Sequence, residues 1–232
     1  VAGEHLIVAG CSFTASWDNF LNSEHTPKSW PDFLARNIGA ASLVNLACHG
    51  AGNQLITHTL TYYLETQFWD PTKTKIIFNI SGMHRIDMPC DPEHPDAVDD
   101  WPWAQRLKLG WLTSKGDIPQ GALLIEVNRQ QGFRSTSRDN ALRVSLLIHY
   151  LLAKRIPFWF MLMDNGVLWD MPVWLRQFLE AQPNYIQFGN RPSMHSYCKH
   201  NGWLSADDFH PSVFGHARIA DQVAEHLAKY SH

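Results

Sequence analysis

The chain has 232 residues, 45% of them hydrophobic and 18% charged, enough to bury one full core in a single domain or at most two small ones. Its 19 Lys and Arg against 22 Asp and Glu leave a net charge of −3, which argues against a protein that grips a nucleic-acid phosphate backbone. No apolar run approaches the ~20 residues of a membrane span. Four cysteines, none in a C-x-x-C pair, exclude a disulfide-dense scaffold and argue against a thiolate zinc site.

Residues 5–10 (HLIVAG) predict a buried strand. No basic segment with an apolar core precedes them. That and the few cysteines favour a cytoplasmic setting, with a processed leader left open by Val at position 1. A short helix is expected over 30–38, with Pro31 in its first turn, then a strand over 42–47. Residues 53–68 carry Leu55, Ile56, Leu60, Tyr63 and Leu64 at helical spacing, and 74–81 (TKIIFNIS) form a third strand.

The rhythm breaks over 82–135, a stretch with five prolines, an acidic patch and Trp101, Trp103 and Trp111. Its aromatics predict an ordered lid inserted into the domain rather than a linker. The pattern resumes with a helix over 137–154 marked by Leu142, Leu146, Leu147, Tyr150 and Leu151. A fourth strand follows over 157–163, a helix over 172–181 and a short fifth strand at Tyr185–Phe188. Pro211 opens a last helix with Phe214, Ile219, Ala220, Val223 and Leu227 inward. Continuous apolar strands alternating with helices make residues 1–232 one α/β domain around a parallel sheet of about five strands.

Ligands of such a sheet bind beyond the carboxyl ends of its strands. The segments there are Gly10-Cys11-Ser12-Phe13-Thr14, Cys48-His49-Gly50-Ala51-Gly52-Asn53, Ser81-Gly82-Met83-His84-Arg85 and Asp164-Asn165-Gly166, with Asp207-Asp208-Phe209-His210-Pro211 before the last helix. A serine on a glycine-bearing turn acts as a nucleophile when a base reaches it. An Asp three residues before a His can orient the imidazole and steady its charged form, a step that Asp207 meets and Asp208 does not. Gly50 can bring a bare N–H to a developing oxyanion.

These blocks, in this order, resemble the SGNH (GDSL-type) hydrolases, esterases and lipases of a flavodoxin-like three-layer α/β/α fold. Gly10–Thr14 matches the first block with Cys11 in place of Asp, Asn45 and Gly50 match the second, and Asp207–Pro211 the last. The third block is not cleanly present: Met83 falls where the oxyanion-hole Asn is expected, and Asn79 or Asn53 are the substitutes. The resemblance implies a Ser12–His210–Asp207 triad, an oxyanion hole from Ser12 and Gly50, and no cofactor; no metal is expected, because the histidine spacings match no zinc pattern. The implied substrate is a small acyl ester, with O-acetyl groups on a carbohydrate as the common theme. His84, Arg85, Trp101, Trp103 and Asn165 are the candidate substrate-binding residues. An O-acyltransferase using the same triad and a carbohydrate-binding module without turnover are the alternative readings, and the oligomeric state is open.

Overall fold

The computed structural model describes residues 4–15, 29–90, 110–113, 126, 132–206 and 209–230. Elements in chain order are β1 (His5–Ala9), α1 (Trp30–Asn37), β2 (Ser42–Asn45), α2 (Asn53–Thr66), β3 (Thr74–Ile80), β4 (Asp87–Cys90) and β5 (Gly110–Thr113). Then come α3 (Phe133–Ala153), β6 (Phe158–Leu162), α4 (Gly166–Asp170), α5 (Val173–Glu180), α6 (Met194–His200) and α7 (Val213–Tyr230).

Four strands make the parallel central sheet in the order β2-β1-β3-β6. Ile7 pairs with Val44 on one side and Ile76 on the other, and Phe78 pairs with Phe160. β3 and β6 read as near-continuous apolar runs because both faces are covered, with Ile76, Ile77, Phe78, Phe160, Met161 and Leu162 all buried. Each such side chain contributes ~1.5–3 kcal/mol on leaving water. Helix α1 packs against α7, and α2 against α3, so helical pairs flank the sheet. The α1 start is set locally: the Asp32 carboxylate accepts from the Ser29 N–H at 3.1 Å, and Pro31 needs no partner there.

The α/β architecture matches the expectation. The fifth strand is reduced to a single parallel bridge, Phe160 to Tyr185. Within 82–135, where no strand was expected, β4 and β5 pair antiparallel; among the described residues this sheet has only these two strands, so Pro89 is tolerated on an edge. Trp111 on β5 is buried, whereas Trp101 and Trp103 lie outside the described residues. Two helix faces differ from the prediction. On α3 the inward face is Ala141, Val144, Leu147, Ile148 and Leu151, which leaves Leu142 and Leu146 exposed; on α7 Phe214 is exposed and lies edge-on to Trp203. Cys11, Cys48 and Cys198 are buried free thiols, and Cys90 is half-buried.

Candidate active site

The strand order places β1 between β2 and β3, so the loops after these three strands meet at the carboxyl edge of the sheet. After β1 the chain turns tightly: the N–H groups of Thr14 and Ala15 both donate to the Cys11 carbonyl, at 2.8 and 2.9 Å. Ser12 sits on this turn with 9% of its surface exposed. Its Oγ lies 2.8 Å from Nε2 of His210. The imidazole packs on the ring of Phe13, centroids 4.8 Å apart.

His210 reaches that position from a strained loop. Phe209 has φ of 59°, a left-handed conformation rare for a bulky residue, and is largely exposed. The His210 carbonyl accepts from Ser205 N–H at 2.7 Å as part of the Leu204–Pro211 bridge, so the chain is fastened on the C-terminal side of the histidine. Asp207 lies outside the described residues.

The second loop is tied to the first. Cys48 N–H donates to the Gly10 carbonyl at 3.0 Å, and Asn45 spans the gap, its Nδ2 donating to Thr14 O at 3.2 Å and its Oδ1 accepting from Ala47 N–H at 3.0 Å. Gly50 takes φ of 75°, which a glycine adopts without cost. Among the described residues, no acceptor takes the N–H of Ser12 or of Gly50.

Neither candidate asparagine has its amide turned to solvent. Asn53 is buried and joins α2 to the end of β3, donating to Ser81 O at 3.0 Å and accepting from Ser81 N–H at 2.9 Å. Asn79 is fully buried; its Oδ1 accepts from Cys11 N–H at 3.0 Å and from the Thr14 hydroxyl at 2.7 Å, and its Nδ2 faces Cys11 Sγ at 3.4 Å. Met83 is buried as well.

The other candidates form the surroundings. Arg85 Nη1 donates to Ala51 O at 3.1 Å and thus braces the Gly50 loop from behind. His84 is half-exposed and pairs with Asp170 at 3.2 Å, linking the loop after β3 to α4. Asn165 Oδ1 accepts from Ser193 Oγ at 2.8 Å.

Thr14 and Asn45, which the first two blocks contain, secure the nucleophile turn, as above. Two further contributors, His195 and Asp87, were not read from the sequence as site residues. His195, at the start of α6, lies edge-on to Phe13 at 6.1 Å, so Phe13 touches two imidazoles. Burial lowers the His195 pKa, Asp164 opposes that, and the charges of Lys199 and His210 add to it. Asp87 is buried under α2, where its two oxygens accept from Gly52 N–H and Leu55 N–H, each at 2.9 Å. Burial drives its pKa up to about 6 against these bonds and the charges of Arg85 and Arg143.

No family model matches the chain, and no curated protein matches it. Solved structures do. A member of the lipolytic protein G-D-S-L family from Veillonella parvula is 13% identical, with TM-score 0.46 over 98% of each chain. The lipase/acylhydrolase from Enterococcus faecalis is 17% identical, with TM-score 0.47 over 97% of this chain and 96% of that one. Phospholipase A1 from Streptomyces albidoflavus is 14% identical, with TM-score 0.45 over 98% and 99%.

Proposed function

We propose that this chain is a serine ester hydrolase. The observation that carries the reading is the 2.8 Å contact between Ser12 Oγ and His210 Nε2, made across most of the sequence at the carboxyl edge of the sheet. Ser12 attacks the ester carbonyl while His210 takes the hydroxyl proton. Asp207, three residues before His210, holds the imidazole tautomer and steadies the imidazolium. The N–H groups of Ser12 and Gly50 meet the oxyanion. His210 then gives its proton to the leaving alcohol, and a water activated by the same histidine clears the acyl-enzyme.

The substrate is a small acyl ester, and O-acetyl groups on a carbohydrate are the first class to try. Hydrolysis of p-nitrophenyl acetate by the wild type beside Ser12→Ala tests the reaction. Turnover that disappears in the variant supports it, and equal rates in the two proteins overturn it.

A further inference from the structure

We infer that Asn79 is a positioning residue for Ser12 and that, through Thr14, Trp30 and His216, it links the nucleophile turn to the helix that follows His210. The inference rests on the serine-hydrolase reading for the roles of Ser12 and His210.

Asn79 is the penultimate residue of β3, fully buried. One oxygen of its amide receives the Cys11 N–H and the Thr14 hydroxyl, so it holds the chain just before Ser12 and two residues after it. Gly10 makes room for that oxygen: a Cβ there would stand 1.8 Å from Asn79 Oδ1 and 2.7 Å from Thr14 Oγ1. The amide nitrogen faces Cys11 Sγ, which in turn contacts Met163 Sδ at 3.3 Å beyond the end of β6. Both ends of the amide are therefore turned inward, where they brace the turn.

The chain of bonds continues past Asn79. Thr14 gives its hydroxyl proton to Asn79 and accepts the Trp30 indole N–H at 3.3 Å. Trp30 is completely buried at the start of α1, and its backbone N–H donates to His216 Nδ1 at 3.3 Å. That bond places the His216 proton on Nε2. His216 is on the first turn of α7, directly after the loop that carries His210. The Trp30 indole, Thr14 and Asn79 polarise one another, Trp30 itself carries the link on to His216, and removing one member leaves its neighbours unsatisfied in a low dielectric. The series thus fixes the nucleophile turn relative to the element that carries the base. A displacement near 1 Å between reacting groups costs ~10²-fold in rate.

Thr14→Val keeps the side-chain shape and removes the hydroxyl, and Thr14→Ser restores it. We expect Thr14→Val to slow labelling of Ser12 by a fluorophosphonate about tenfold, part of the loss a full misplacement causes. It should lower p-nitrophenyl acetate turnover through kcat with KM unchanged and speed amide exchange at Cys11. Thr14→Ser should return all three towards wild type. Labelling and exchange at wild-type rates in Thr14→Val overturn the inference, and so does a loss that Thr14→Ser does not repair. If the wild type is not labelled at Ser12, the hydrolase reading fails instead. The brace is then judged by Cys11 exchange alone, and no change in Thr14→Val overturns it.

Discussion

The peptide N–H of Cys48 donates to the carbonyl of Gly10 at 3.0 Å, so the loop that carries Gly50 is fastened to the turn that carries Ser12. Two segments from different strands are held in one frame by this backbone bond and by the Asn45 side chain. On the proposed mechanism, whatever moves Gly50 changes the oxyanion site without touching Ser12.

Gly50→Ala follows from that frame. A side chain at φ of 75° is strained by ~1–2 kcal/mol, and the loop relieves it by turning the peptide. On the proposed mechanism the N–H then leaves the oxyanion position, and kcat falls ~10²-fold. Steady-state kinetics on p-nitrophenyl acetate checks this, with a melting curve to show that the variant is folded. A kcat within about twofold of wild type would remove Gly50 from the oxyanion hole, since one lost donor costs more than that.

Ser12 and His210 should behave as one unit. Each of Ser12→Ala and His210→Gln is expected to lower kcat by more than ~10⁴-fold, and the double variant to cost little beyond either. Independent, multiplying losses would mean that the 2.8 Å contact is not the proton path.

Asn53 and Asn79 show where sequence reading stops. The alternating α/β pattern placed the loops of Ser12 and Gly50 after neighbouring strands, and the family resemblance paired Ser12 with His210, which the structure sets 2.8 Å apart. Nothing in the spacing says whether an amide at a helix start or a strand end faces the cleft or the interior. Asn53 faces inward because Ser81 offers both an N–H and a carbonyl there, and Asn79 because Gly10 leaves a hole for its oxygen. Asp87 was equally hidden: a single carboxylate in a proline-rich stretch caps a helix that begins more than thirty residues earlier. Phe214 reads as an inward residue by period, yet it stays half-exposed, with Trp203 edge-on to it and Arg218 over its ring.

Asn53→Ala separates a structural amide from a catalytic one. It leaves the Ser81 N–H and carbonyl without partners in the interior, which costs about 2–3 kcal/mol of stability. The folded fraction should retain kcat within about tenfold, because losing a true oxyanion donor costs ~10²–10³. Urea unfolding and kinetics on the same preparation measure both quantities. Unchanged stability with a thousandfold loss of kcat would return Asn53 to the oxyanion hole.

Asp87 predicts an unusual pH dependence of stability. Its carboxyl is raised from 3.8 to about 6 in the folded protein because it is buried, despite accepting two N–H bonds at the start of α2. A group whose folded pKa lies above its unfolded value favours the folded state most below the unfolded pKa, and that favour is lost as pH rises through the folded one. Between pH 4 and 7 the Asp87 contribution should therefore fall by roughly 2 kcal/mol, because each tenfold difference in proton affinity between the two states is worth ~1.4 kcal/mol and the unfolded carboxyl is already partly ionised at pH 4. Asp87→Asn cannot ionise, so the difference in unfolding free energy between wild type and variant isolates the effect from other titrating groups. Urea unfolding at intervals from pH 4 to 7 should show the wild type losing ground to the variant as pH rises. A difference independent of pH would mean that the two N–H bonds offset burial and keep the carboxyl at its ordinary value.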